Sequence, residues 1–275
     1  MSEWQPYPPA DSTAAHTVTG TVLVKQRVYS PTLSNHRDLY LYLPPSYETS
    51  GRRYPVLYMH DGQNLFDAAT SFAGEWGVDE TLQSLSEEGI EAIVVGIANI
   101  GEGRMKEYLP FKHPYFGEGK GDAYLKFLVQ TVKHDVDHHF RTLPDRAHTG
   151  IAGSSMGGLI SLYGYFSYPS VFGLAGVFSP ALWPARSHVF TFVETAAYSP
   201  GKLYFDIGTE EFSGYRQIRQ GMNAIADHQR MLSILTHKGY TQGESLMYVE
   251  DQGGKHNEAD WARRLPDALR FLLKA

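Results

Sequence analysis

The chain has 275 residues, of which 42% are hydrophobic and 20% are charged, so it can bury a large core in one or two domains. Its formal net charge is −6 and it has no long run of Lys or Arg, which argues against a nucleic-acid-binding protein. Because cysteine is absent, disulfides, thiolate metal sites and a cysteine nucleophile are excluded.

The N-terminal residues 1–16 are polar and rich in proline, which predicts a flexible arm ahead of a single domain over 17–275. The first residues show no basic stretch followed by an apolar one, so no signal peptide is expected. No apolar run approaches the roughly 20 residues that a membrane-spanning helix needs. We therefore expect a soluble, cytoplasmic protein that does not bind membranes.

Hydrophobic patterns predict two antiparallel-looking strands, then a series of buried strands and amphipathic helices. Residues 98–121 are rich in glycine and contain two prolines, which predicts a long loop. The predicted strands are 18–24, 37–43, 56–60, 92–97, 149–152, 174–178, 202–207 and 245–249, and the predicted helices are 78–85, 124–140, 159–166, 216–237 and 260–274. This order predicts an α/β fold, with a mostly parallel central sheet, antiparallel N-terminal strands and helices on both faces.

A nucleophile motif follows the strand predicted at 149–152. Residues 153–157 read Gly-Ser-Ser-Met-Gly and fit G-x-S-x-G, between a strand and a helix as a nucleophile elbow requires. The sharp turn forces Ser155 into a strained conformation at a helix N-terminus. The alternative is a phosphate-binding turn of a dehydrogenase, but Ser154 and Met156 occupy two of the positions where that motif needs glycine. The motif therefore predicts Ser155 as a nucleophile.

A base and an acid are expected in loops that follow later strands. His256 is the histidine that lies after the last predicted strand, beside two glycines, and it is predicted to be the base. Three carboxylates are candidates for the acid. Asp206 lies within the preceding predicted strand, and Glu210 and Glu211 follow it. We expect Glu211 to fix the imidazole tautomer, with Glu210 as its rival and Asp206 in a structural role.

Two backbone N–H groups are expected to form an oxyanion hole. One is that of Met156, directly after the nucleophile, and the other is that of Gln63, in the loop after the strand at 56–60. Tyr108, Phe111 and Trp183 are candidates for the substrate pocket, with core packing as an equal alternative.

One pair of histidines has two interpretations, a metal site and a solvated helix face. His134 and His138 have the i, i+4 spacing of an H-E-x-x-H zinc site, but Asp135 stands where that motif has Glu, and no third ligand is indicated. A polar helix face explains the pattern, and neither a metal nor a cofactor is predicted.

Four segments taken in order resemble the putative-esterase family, which includes esterase D, siderophore esterases, feruloyl and acetylxylan esterases and mycolyltransferases. They are residues 54–66, 74–79, 153–158 and 208–211, and the resemblance runs from about residue 20 to the C-terminus. It implies an α/β-hydrolase fold, no cofactor, a triad of Ser155, His256 and Glu211, and oxyanion donors at Met156 and Gln63.

The expected activity is hydrolysis of a small-molecule carboxylic ester through an acyl-enzyme intermediate. One alternative is an acyltransferase that passes the acyl group to a sugar or another alcohol. A second is a non-catalytic binding protein on the same scaffold. The sequence does not determine the physiological substrate or the oligomeric state.

Overall fold

A central sheet organises the computed structural model, which describes residues 3–211 and 224–274. Within these residues, nine strands form one sheet in the order β1-β2-β3-β5-β4-β6-β7-β8-β9. Strands β4 to β9 run parallel, and β3 joins them antiparallel to β5. The strands are β1 (Gln5–Tyr7), β2 (Thr21–Ser30), β3 (Asn35–Leu43), β4 (Val56–His60), β5 (Ile93–Ile97), β6 (Thr149–Ser154), β7 (Leu174–Phe178), β8 (Lys202–Gly208) and β9 (Leu246–Asp251). The mostly parallel sheet with antiparallel N-terminal strands is thus confirmed.

Helices cover the sheet, and several begin earlier than predicted. The helix predicted at 124–140 starts at Gly121 and contains a π-helical turn, Leu128–Val132. The predicted long loop holds a short helix. The helices are α1 (Val78–Ser86), α2 (Arg104–Glu107), α3 (Gly121–Phe127), α4 (Lys133–His139), α5 (Met156–Ser167), α6 (Arg186–Thr195), α7 (Ala224–His237) and α8 (Glu258–Leu273). The first part of the helix predicted at 216–237 lies outside the described residues.

Two hydrophobic cores form because side chains alternate between the faces of each strand. Tyr58 and Val95 point to one core, which includes residues of α3, α5, α6 and α7. Leu57 and Val94, their neighbours in β4 and β5, point to the other, which includes residues of α1 and α8. Every residue of β4 to β7 is buried, as a sheet covered on both faces requires.

The N-terminal segment differs from the flexible arm predicted for 1–16. Residues 5–7 pair antiparallel with β2, and Trp4 Nε1 donates to Asp135 Oδ2 over 3.1 Å. Tyr7 Oη and His16 Nδ1 lie 2.6 and 2.5 Å from Asp67 Oδ2. Local composition does not reveal these contacts, because the partners of this segment lie far away in the sequence.

None of the helices within 3–211 and 224–274 has both the length and the apolar character needed to span a bilayer.

Candidate active site

Ser155 occupies a strained turn between β6 and α5. Its φ of 58° and ψ of −120° are unfavourable for a residue with a side chain. Two backbone hydrogen bonds attach the turn to the end of β7 and to the loop that follows it. Ser155 N donates to Phe178 O over 3.0 Å, and Ala181 N donates to Ser155 O over 2.9 Å. The turn is therefore held from both sides with its hydroxyl above the parallel strands.

The glycines around Ser155 are needed because other backbone and side-chain atoms approach them closely. A Cβ atom on Gly153 would lie 3.0 Å from His60 Cδ2 and 3.1 Å from the carbonyl carbon of Gly157. A Cβ atom on Gly158 would lie 2.8 Å from Phe178 O. Larger residues at these positions would push the strand and the helix apart.

His256 reaches Ser155 from the loop between β9 and α8. Its Nε2 lies 2.9 Å from Ser155 Oγ, although 101 positions separate the two residues. The next residue, Asn257, caps α8 by accepting a 3.0 Å hydrogen bond from Asp260 N. The Trp261 ring packs edge-on to the imidazole, with centroids 5.0 Å apart. The cap and the indole together restrict where the imidazole can lie.

Glu211 completes the relay on the other side of the imidazole. Its Oε2 lies 2.9 Å from His256 Nδ1, while Oε1 accepts hydrogen bonds from Gly208 N, at 2.7 Å, and from the Ser179 hydroxyl. Burial raises the pKa of this carboxyl, but the hydrogen bonds and charge of His256, with the donors Ser179 and Gly208, outweigh burial and lower the pKa. The side chain is therefore a carboxylate suited to hold an imidazolium.

The rival carboxylates lie elsewhere. Glu210 is exposed, and its backbone N–H donates to Gly254 O over 2.9 Å. Asp206 is fully buried within β8, where it accepts from Ser179 N and Tyr204 Oη, each at 2.7 Å, and pairs with Arg264 Nε at 2.9 Å. Of the three carboxylates weighed from the sequence, the structure brings Glu211 to His256.

Ser179 is a supporting residue that the sequence did not single out. Its hydroxyl oxygen accepts from Trp261 Nε1 at 2.9 Å and from Arg264 Nη2 at 3.0 Å. With both acceptor positions filled, the hydroxyl proton points to Glu211. Its place after β7, in Phe-Ser-Pro, was a possible signal, because the carboxyl ends of parallel strands share one edge of the sheet.

The two expected oxyanion donors lie in the turns that follow β4 and β6. Met156 is the first residue of α5, and Gln63 lies in the turn Gly62–Asn64 after β4 and lines the cleft around Ser155. Among the described residues, neither backbone N–H donates a hydrogen bond to another protein group. Asp61, directly before this turn, has a φ of 57°.

An ion pair fixes the turn that carries Gln63. Arg104 Nε and Nη2 each lie 2.7 Å from an oxygen of Asp61, and Asn99 Nδ2 donates to Asp61 Oδ1, also over 2.7 Å. Bidentate geometry restrains direction as well as distance. The predicted loop at 98–121 therefore supplies residues that hold the neighbouring loop in place.

His60 also borders the cleft, but its surroundings do not suit a general base. Burial lowers its pKa to about 3, so the ring is neutral. Its Nδ1 lies 2.7 Å from Tyr124 Oη, and the ring packs against the Tyr108 and Tyr124 rings. His60 therefore supports the floor beneath β6 and the elbow.

A cleft of about 850 Å³ opens over Ser155 and His256. Its wall contains the aromatic side chains of Tyr40, Phe72, Trp76 and Trp261, and Phe72 is 92% exposed. This volume is within the range of sites that enclose a small organic molecule.

The three pocket residues expected from the sequence do not appear in the described lining of this cleft. Tyr108 is fully buried, and its hydroxyl accepts from Asp61 N at 3.3 Å. Phe111 packs against Tyr163 and Phe192, and Trp183 is 38% exposed. Tyr108 therefore packs in the core, and Phe111 is half-buried against neighbouring rings.

His134 and His138 are exposed on α4. In the described part of the chain, no third His, Asp or Glu joins them in a group close enough to hold an ion.

Comparison with known proteins identifies the family to which the chain belongs. Residues 30–272 match the family described as Putative esterase. Protein YbbA of Bacillus subtilis, which is uncharacterized, is 26% identical over 246 residues, covering 87% of this chain and 93% of its own. An endo-1,4-beta-xylanase/feruloyl esterase of Xylanibacter ruminicola is 26% identical over 152 residues, covering 50% of this chain and 19% of its own.

Solved structures share the fold at low sequence identity. The BES protein of Bacillus cereus superposes with a TM-score of 0.70 at 18% identity, covering 97% of this chain and 100% of its own. The siderophore hydrolase EstB of Aspergillus nidulans gives 0.67 at 18% identity, covering 96% and 97%. The ferric enterobactin esterase of Salmonella typhimurium gives 0.71 at 20% identity, covering 93% of this chain and 59% of its own.

Proposed function

The chain belongs to the putative esterase family and is a carboxylic ester hydrolase, and on that premise we propose that it works through a Ser155–His256–Glu211 triad. The observation that carries this proposal is the continuous relay of two 2.9 Å contacts, from Ser155 Oγ to His256 Nε2 and from His256 Nδ1 to Glu211 Oε2. Three different loops contribute to this relay, all at the carboxyl edge of the sheet.

The first half of the reaction forms an acyl-enzyme. Ser155 Oγ attacks the ester carbonyl carbon while His256 Nε2 takes the hydroxyl proton. Glu211, held ionised by its donors, stabilises the imidazolium and keeps Nε2 directed at the serine. His256 then protonates the leaving alkoxide, and the alcohol departs. In the second half, His256 removes a proton from water, which attacks the acyl group and releases the acid.

The negative charge on the carbonyl oxygen is accommodated by backbone donors. Gln63 lines the cleft and Met156 directly follows Ser155, and neither backbone N–H has a protein acceptor among the described residues. The N-terminus of α5 adds a favourable dipole at the same place. In known hydrolases, removing one such donor costs about 10²–10³ in kcat.

We propose that the substrate carries an aromatic acyl or alcohol group. The aromatic wall of the cleft supports this, because Phe72, Trp76 and Trp261 can stack on a planar ring. One similar protein is named a feruloyl esterase, and a feruloyl group contains an aromatic ring. This proposal predicts that, among aryl esters that differ only in the acyl group, those with an aromatic acyl group are hydrolysed faster.

The test of the triad is the Ser155→Ala variant with p-nitrophenyl acetate as substrate. We expect kcat to fall by about 10⁴–10⁶ with unchanged thermal unfolding, since the variant removes one oxygen from a folded site. Ser154→Ala, one residue earlier, is the matched control and should retain activity within about tenfold. Wild-type turnover by Ser155→Ala would refute the proposal.

A further inference from the structure

A buried arginine lies behind the acid of the triad, away from the cleft. Arg264 is 5% exposed and does not appear in the described lining of the cleft around Ser155. It follows Trp261 by three positions in α8, so both side chains extend from the same face of the helix. That face meets Ser179, whose hydroxyl oxygen accepts from Trp261 Nε1 and from Arg264 Nη2. The helix therefore brings two donors to one hydroxyl.

The guanidinium of Arg264 also faces three carboxylates. Its Nε lies 2.9 Å from Asp206 Oδ2, its Nη1 3.1 Å from Asp251 Oδ2 and its Nη2 3.9 Å from Glu211 Oε1. The side chains of Asp206 and Glu211 are shielded from solvent, so water screens these charges little. A planar fork of five N–H donors can reach several groups at once, which a single ammonium group cannot do. Arg264 therefore links the triad acid to two further carboxylates.

Ser179 is held at its backbone as well as at its hydroxyl. Ser179 N donates to Asp206 Oδ1 over 2.7 Å. The φ of Ser179 is 42°, in the left-handed region, and a residue with a side chain keeps such a conformation only where its surroundings hold it. Arg264 pairs with the same Asp206 that holds this backbone, so one ion pair restrains both the N–H and the hydroxyl of Ser179.

We propose that Arg264 is a positioning residue for the triad acid and acts on it through Ser179, an inference that rests on the proposed triad. Arg264 and Trp261 fill the acceptor positions of the Ser179 hydroxyl, which then donates to Glu211 Oε1. With Oε1 held in this way, Oε2 stays on His256 Nδ1. Without the guanidinium, one acceptor position is empty, and the hydroxyl can rotate so that it no longer donates to Glu211.

The test is the Arg264→Lys variant with p-nitrophenyl acetate as substrate. Lysine keeps a positive charge for Asp206, but its single ammonium group cannot pair with that carboxylate and donate to Ser179 in the same geometry. We expect kcat to fall by about 10–10²-fold, the size of effect that a small displacement of a catalytic group produces. KM should stay within about twofold of the wild type, because His256 acts in both halves of the reaction and both slow together.

The variant must be compared with wild-type protein per folded active site. The number of reactive Ser155 hydroxyls is counted by fluorophosphonate labelling carried to completion, so that unfolded protein does not lower kcat. Arg264→Met combined with Asp206→Asn is a second variant, which removes both charges and so leaves no unpaired carboxylate at position 206. Its kcat should fall at least as far as that of Arg264→Lys.

Arg263→Lys is the matched control, because it makes the same change in the adjacent residue of α8. Arg263 pairs with Asp251 and Asp260, and its side chain is 55% exposed. Exposed ion pairs of this kind contribute little, and kcat of this variant should stay within about twofold of the wild type.

A double-mutant cycle with Ser179→Ala shows whether Arg264 acts through that hydroxyl. In the Ser179→Ala background, Arg264→Lys should lower kcat by less than about threefold, because the contact that it breaks is already lost. An arginine that only stabilises the fold would lower kcat by the same factor in both backgrounds.

Each of four results would overturn the inference. They are wild-type kcat in Arg264→Lys, a rise in KM in place of a fall in kcat, equal losses in Arg264→Lys and Arg263→Lys, and the same loss with and without the Ser179 hydroxyl. Glu211→Gln separates these outcomes from failure of the triad. If Glu211→Gln loses activity and Arg264→Lys does not, the role of Arg264 alone is refuted, whereas full activity in both variants refutes the triad acid as well.

Discussion

Two buried carboxyl groups, those of Glu211 and of Asp79 in α1, have very different hydrogen-bond partners. Both oxygens of Glu211 have hydrogen-bond partners, and the pKa of this carboxyl is lowered. Asp79 has one oxygen without a partner, and burial, followed by its neighbour Glu80, raises its pKa to about 8. Burial acts on both in the same direction, so the supply of donors decides whether a buried carboxylate carries its charge.

The largest effect that tests this comparison is expected from Glu211→Gln. An amide cannot stabilise the imidazolium by charge, and kcat for p-nitrophenyl acetate should fall by about 10³–10⁴. Steady-state kinetics at neutral pH will measure it.

Glu210→Gln is the matched control for that experiment, because it makes the same change in the adjacent, exposed residue. Its kcat should stay within about twofold of the wild type. A large loss in Glu210→Gln, with little loss in Glu211→Gln, would move the acid of the triad to position 210.

A smaller effect is expected from Ser179→Ala, which removes one donor from Glu211 Oε1. The ionised Glu211 stabilises the fold above its unfolded pKa, and this contribution is lost as pH falls through its lowered folded value. With one donor fewer, the folded pKa moves back towards the ordinary value. The free energy of unfolding at pH 7 should therefore fall by about 1–3 kcal/mol.

The pH dependence distinguishes this account from a simple packing defect. In Ser179→Ala the loss of unfolding free energy between pH 7 and pH 3, measured by urea unfolding, should be smaller than in the wild type. Equal losses in the two proteins would show that Ser179 does not act through the charge of Glu211.

Local sequence patterns sufficed to predict the strands and helices around Ser155. The strand predicted at 174–178 is β7 to the residue, and the predicted elbow lies between β6 and α5. Buried parallel strands leave a strong local signal, because both faces must be apolar. The order of the strands then places residues 155, 211 and 256 at one edge.

Contacts between distant segments could not be predicted from local sequence patterns. Ser179 directly after β7 and Arg264 in α8 both lie beside Glu211, and neither segment alone shows that they meet. The raised pKa of Asp79 could not be predicted either, because its burial depends on other elements. Tyr108 and Phe111 are pocket candidates with core packing as an equal alternative, because sequence does not reveal the side of a loop on which a ring packs.

The central claim is that Ser155 is a nucleophile activated by His256, and covalent trapping tests it most directly. A fluorophosphonate probe should add once to the protein, on the peptide that contains Ser155, as measured by mass spectrometry after proteolysis. The His256→Ala variant should react far more slowly, because its serine has lost the base. A probe adduct on another residue, or full esterase activity in protein whose Ser155 is modified, would contradict the account.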